Sequence, residues 1–210
     1  VAVLRGESEA AATHLADAVR LHERGGNLAE RVCTLGIRAL ALARAGDVDA
    51  AAETLRTVSP LLDQLGISNL AIEGFSCMVE AVMALEDAGH GDPSLRVLAR
   101  KAWRLLAKNA NTLSRVHKTR SLVLDGVLAR REGHIARASK RWPRAIARAE
   151  RDHVPYESAR ARLEWASELP GNAAMRAEHL DLAIATFKLL GTSHELARAE
   201  HLLRQHDDHR

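Results

Sequence analysis

The residues with the greatest capacity for chemistry lie at 131–153, in the stretch REGHIARASKRWPRAIARAERDH. It carries seven Lys/Arg, two His and one Trp. Cations at this density can neutralise phosphates or carboxylates, and an indole can stack on a base or fill a core. The other reactive types are sparse. Cys33 and Cys77 are the only cysteines, too few and too far apart for a disulfide framework or a thiolate metal site. Each falls in an apolar helical pattern and reads as a reduced core residue. His206, Asp207, Asp208 and His209 are potential metal ligands, but a chain-end tail does not preorganise them, so no metal is expected. His194 and His201, seven apart, read as one surface stripe. The pair of glycines in HERGGN (22–27) is helix-end chemistry, not a phosphate loop. No Walker-type loop, GxGxxG, GxSxG, HExxH or CxxC motif occurs. The sequence therefore predicts no enzyme and no cofactor.

The elements that position these residues follow from composition and period. The chain has 210 residues with 47% apolar content but only 3% aromatic. Ala, Leu, Arg and Glu dominate and no β-branched run is present, which predicts helix throughout. No apolar run approaches the ~20 residues needed to cross a bilayer, and no signal peptide opens the sequence, so a cytoplasmic protein is expected. Periodicity and punctuation place helices at about 7–24, 28–45, 47–65, 68–88, 92–110, 113–132, 134–151, 156–169, 172–190 and 193–206. Asp92-Pro93 is a helix start with an N-cap followed by Pro at the first helical position. Pro155 opens another, and Thr192 to Glu195 forms a capping box. Pro60 and Pro143 lie inside apolar patterns and should kink or shorten their helices.

Internal repetition underlies this layout. Gly133 is followed at offsets of five, nine and twelve by Ala138, Trp142 and Ala145. Gly46 gives Ala51, Leu55 and Val58 in the same register, and Gly6 gives Ala11, Leu15 and Ala18. Gly171 gives Arg176, Leu180 and Ala183, matching at two offsets of three. The turn DAGHGDPS fits after a slip of about one residue, with Leu95, Ala99 and Ala102 following. Small residues at fixed offsets let helices approach closely, and glycine closes the turn at positive φ.

The segment RSLVLDGVLARREGHIARASKRWPRAIARAERD resembles a tetratricopeptide (TPR) repeat. Gly126 falls at the small position of the first helix, Gly133 at the turn, and Ala138, Trp142 and Ala145 at the second-helix positions. Leu122 and Ala129 replace the family's usual aromatics of the first helix, and the period is longer than the family's. Such longer repeats are similar to the arrays of large bacterial signalling proteins: maltose-regulator-type transcription factors, class III cyclases and serine/threonine kinases. The ending TFKLLGTSHELARAEHLL is similar to the ends of those chains. The resemblance implies an all-α, right-handed α-solenoid of antiparallel helix pairs, about nine or ten helices, as a single domain over 1–210. The N-terminal stretch fits a second helix without its first, which predicts an array extending before Val1.

Charge is distributed unevenly along the chain. Residues 96–151 hold 16 Lys/Arg and 3 Asp/Glu, a net of +13, against −7 over 1–95 and −3 over 152–210. Arg137, Lys140, Arg141, Arg144, Arg148 and Arg151 share one stripe of their helix, opposite Ala138, Trp142, Ala145 and Ala149, so the Trp reads as core. Carrying over the groove positions of the TPR family implies that Arg120, Val123, Val127, Arg130, Arg131 and Trp165 contact a partner. Three arginines beside apolar patches would suit an acidic peptide or a terminal carboxylate. The function expected is a non-catalytic interaction or regulatory module of a larger bacterial signalling protein, binding a protein or a neighbouring domain, with dimers allowed. Two alternatives stand beside it: a ligand- or peptide-sensing regulatory domain, and nucleic-acid binding through the 96–151 band.

Overall fold

A computed structural model describes residues 8–23, 27–169 and 173–207. Among them there are ten α-helices and no strand. The first five are α1 (Ser8–Glu23), α2 (Leu28–Ala45), α3 (Val48–Val58), α4 (Ile72–Asp87) and α5 (Pro93–Leu113). The second five are α6 (Arg115–Arg131), α7 (Ile135–Arg151), α8 (Pro155–Ala166), α9 (Ala173–Leu190) and α10 (Ser193–Asp207). All ten expected helices are present, with shifts at their ends. Gly6, Gly25, Gly26 and Gly171 lie outside the described residues, as do Asp208, His209 and the side chains of His206 and Asp207.

The chain forms two compact units, with the boundary inside α6 after His117. In the first unit α1 packs on α2, α2 on α3 and α4, and α4 on α5. The α2–α4 crossing is close because both helices have a glycine at the contact. A Cβ on Gly36 would lie 2.4 Å from the Gly74 carbonyl oxygen, and one on Gly74 would lie 2.6 Å from the Cys33 Cα. Both cysteines are free. Burial pushes the Cys33 thiol above its usual value, and the Glu73 carboxylate adds to the effect, outweighing a hydrogen bond at Gly74. In the second unit α7 packs on α8, α8 on α9, and α9 on α10.

One turn geometry ends helix after helix. At Gly46, Gly89, Gly133 and Gly191, φ lies between +65° and +85°. In each case the glycine N–H donates to the carbonyl three residues back. The following N–H donates to the carbonyl five back: Asp47 to Leu42, His90 to Leu85, His134 to Ala129 and Thr192 to Phe187. This Schellman arrangement satisfies the carbonyls that a helix end leaves bare. The same pattern recurs at the end of α7 with His153 in the glycine position, at φ 55°. Nothing in the sequence marked that turn, because the signal sought was glycine.

The repeat offsets translate into core. Ala51, Leu55, Val58, Ala138, Trp142, Ala145, Leu180 and Ala183 are all inaccessible to solvent, and Leu95, Ala99 and Ala102 are buried. Asp92 caps α5, accepting from the Ser94 N–H at 2.8 Å with Pro93 at the first position. Pro60 acts as expected: α3 stops at Val58 and a 3₁₀ turn runs over Ser59–Gln64. Pro143 does not end its helix, since α7 continues to Arg151. The carbonyl deprived of its partner belongs to exposed Ser139, where water can reach it, so the loss is tolerated. The capping box at α10 is also corrected, because the buried Thr192 Oγ1 has no hydrogen-bond partner.

Candidate functional site

The helix α8 has the sequence PYESARARLEWA, in which Glu157, Arg160 and Glu164 fall at i, i+3 and i+7 and so share one face. All three are buried. Glu157 Oε1 accepts from Arg120 Nε of α6 at 2.7 Å. Glu164 Oε1 accepts from Arg198 Nη2 of α10 at 3.0 Å, and its Oε2 lies 3.7 Å from Arg130 Nη2 of α6. Arg130 Nη1 also donates to Ser167 Oγ at 2.9 Å and to Glu168 Oε1 at 3.1 Å. Arg160 stands over the Tyr156 ring, 5.8 Å from its centroid. An ionic seam thus runs along α8, tied to α6 on one side and to α10 on the other.

Electrostatics inside the seam are set by neighbours. Burial alone would raise the Glu164 carboxyl. The guanidiniums of Arg198, Arg130 and Arg160 outweigh it and hold the group below its ordinary value. Glu164 in turn pushes Arg198 up against its own desolvation. Isolated charges at this depth would cost several kcal/mol each, which is why every carboxylate here faces a guanidinium.

The six residues expected to contact a partner divide into three groups. Arg120 is buried and committed to Glu157. Val123 and Val127 are buried, Val123 against Ala145 and Ile146 of α7 and Ala161 of α8. The expectation that these two valines offer apolar patches is therefore corrected: on α6 they face the core, where burial of their branched side chains stabilises the unit. Arg130, Arg131 and Trp165 remain partly accessible. The Trp165 ring packs against two core clusters, that of Val123, Ala145, Ile146 and Ala161 and that of Ala129, Ala138 and Trp142, and its centroid lies 4.7 Å from that of the His179 ring. Burial and the Arg162 guanidinium, 3.0 Å from Nδ1, hold His179 below the usual histidine range despite the opposing carboxylate of Glu178.

The basic stripe of α7 is largely answered from within. Asp125 of α6, buried, takes Arg137 Nη2 at 2.6 Å and Arg141 Nε at 2.5 Å. Asp152 takes Arg148 at 3.1 Å and Arg151 at 3.6 Å. Asp125 gave no functional signal in the sequence, since one acid among many cations says nothing of distance. The α8 stripe was legible in principle, as alternating charge at helical spacing, but its burial was not.

In the first unit, Ser114 Oγ and His117 Nδ1 are 2.8 Å apart, and His117 Nε2 lies 2.8 Å from Glu73 Oε2. This Ser–His–Glu chain is a cap: Ser114 Oγ also accepts the His117 N–H, at 3.4 Å, at the start of α6. Glu80 of α4 meets Arg44 of α2 at 3.4 Å, a first-unit counterpart of the α8 pairs. His194 and His201 are exposed, as expected. Among the described residues no group of three or more His, Cys, Asp or Glu is placed to hold a metal, and no helix is long and apolar enough to cross a membrane. No family model matches this chain, and neither a curated protein nor a solved structure shows significant similarity to it.

Proposed function

We propose that this chain is a non-catalytic helical-repeat module, of the TPR kind that its sequence resembles, which binds a protein partner or a neighbouring domain of a larger signalling protein. The observation that carries the reading is the buried seam of Glu157, Arg160 and Glu164 with Arg120, Arg130 and Arg198. Apolar side chains of similar volume would hold three helices together at least as well. A charged seam instead fixes the register of α6, α8 and α10, and departures from an apolar core are commonest at functional faces. At its rim stand Arg130, Arg131 and Trp165, two guanidiniums and an indole of the composition that interfaces favour. Their partner would present carboxylates, which arginine engages in bidentate fashion.

Selection of displayed peptides on the wild-type protein tests this reading. Enriched sequences should be rich in Asp and Glu. Arg130→Gln with Arg131→Gln, which remove the charges without setting a new carboxylate against Glu164 and Glu168, should weaken them by about tenfold or more, with the helical circular dichroism retained. Enrichment of uncharged sequences, or unchanged affinity in the double variant, would refute the assignment.

A further inference from the structure

Helix α9 has the sequence AAMRAEHLDLAIATFKLL, and its two sides differ. Leu180, Ala183, Ile184 and Phe187 are buried with Ala159, Leu163 and Ala166 of α8 and Ala199 of α10. On the other side stand Met175, Leu182 and Leu189. They recur every seven residues, so each is turned only about 20° from the last and the three form one line. Met175 is 37% exposed, Leu182 44% and Leu189 86%. Glu178 and Ala185, both exposed, fall between them. The five positions thus alternate in steps of three and four, the spacing of a coiled-coil seam. Among the described residues no other helix leaves more than one large hydrophobic side chain exposed. The charges along this seam change sign from one end of the helix to the other. Glu178 and Asp181 lie in the first half and Lys188 in the second. Lys188 lies 3.4 Å from Glu200 of α10 yet stays exposed, and among the described residues no cation pairs with Asp181.

We infer that this seam is a self-association surface, on which α9 of a second copy of the chain lies antiparallel about a two-fold axis. The order of charges selects both the occupant and its direction. Run antiparallel, with Leu182 of each copy over Ala185 of the other, the pair sets Lys188 of each copy beside Glu178 and Asp181 of the other. The two-fold axis makes that match twice. Run parallel, acids come level with acids and lysine with lysine, which repels. A partner of one charge sign would match only half of the seam. Packing agrees with the same register. The small Ala185 leaves room for the leucine of the other copy, and Leu189 falls on the methylenes of Glu178, whose carboxylate stays at the edge facing Lys188. From Met175 to Leu189 the seam rises about 21 Å. That is short for an interface, so the dimer is weak, with a dissociation constant of about tens of micromolar.

Sedimentation equilibrium of the whole chain under reducing conditions, over about 5–500 µM, brackets such an affinity and should show a monomer–dimer equilibrium. Leu182→Ser with Leu189→Ser should weaken it by about tenfold or more, with helical circular dichroism retained. Exposed apolar residues of other helices supply the control: Leu21→Ser with Val97→Ser should leave it within about twofold. Asp181→Lys alone and Lys188→Glu alone should each weaken the dimer by about threefold or more, since each change acts twice across the axis. Combining Asp181→Lys with Lys188→Glu exchanges the charges and should bring affinity back to within about twofold of wild type. Arg130→Gln with Arg131→Gln should not alter it, so this surface and the α6–α8 rim fail or stand separately. The inference is overturned by a monomer at every concentration, by equal loss in the Leu21/Val97 variant, by indifference to the single charge changes, or by a combined variant no tighter than either single one.

Discussion

Replacing Gly126 with alanine should destabilise the second unit although alanine is the better helix former. A Cβ built on Gly126 lies 2.4 Å from Trp142 Nε1 and 2.9 Å from both Cδ1 and Cε2. Contacts under 3.0 Å do not survive, so something must move. The indole is fully buried in a cluster with Ala129 and Ala138, and it cannot swing into solvent. Either the ring leaves its rotamer or α6 and α7 separate, and overpacking of this kind costs about 1–3 kcal/mol. Helix propensity returns up to about 1 kcal/mol. The net expectation is a loss of about 1–2 kcal/mol, read as a lower urea midpoint by circular dichroism at unchanged slope. The indole itself supplies the control. In a Trp142→Leu background, already destabilised by its own cavity, Gly126→Ala should be neutral or mildly stabilising. The coupling between the two positions should then be about 1–3 kcal/mol. A higher midpoint for Gly126→Ala in the wild-type background would refute the reasoning, as would simple additivity of the two changes.

His153 holds a left-handed conformation at the end of α7 with the hydrogen bonds of the four glycine turns. His153→Gly should therefore stabilise by a few tenths to about 1 kcal/mol, measured by thermal unfolding, offset in part by the freer unfolded chain. Glu164 gives a pH dependence with a definite sign. Its folded-state pKa lies below the ordinary value of 4.5 because its guanidinium neighbours outweigh its burial. Its contribution is thus complete above that value and is lost as pH falls below it toward the folded pKa. Glu164→Gln should cost about 1–2 kcal/mol at neutral pH, since it removes the carboxylate that Arg198 and Arg130 pair with, while both guanidiniums keep access to water and Arg130 keeps Glu168. It should also flatten the stability profile below about pH 4.5, in urea titrations across acid pH.

Much of the fold was legible because its signals are local. Helix starts at Asp92-Pro93 and Pro155, the stop at Pro60, and the turns at Gly46, Gly89 and Gly133 depend on a few neighbouring residues and on φ. The offsets from those glycines, with Gly126 facing Trp142, carried the core positions, because helical period alone turns them to one side. Positions where local chemistry misleads were missed: His153 in a glycine role, Pro143 inside an unbroken helix, and the Thr192 cap that does not form.

The destination of charge is what only the tertiary structure decided. Seven cations in one stretch predicted an exposed basic face, yet Asp125 and Asp152 answer four of them. Arg120 was expected to reach for a ligand and reaches Glu157, thirty-seven residues away. Val123 and Val127 were expected to line a groove and line the core. Periodicity says which residues share a side of a helix. What that side meets depends on distances between helices far apart in the chain, and on whether a charge is left in water or must find a partner out of it.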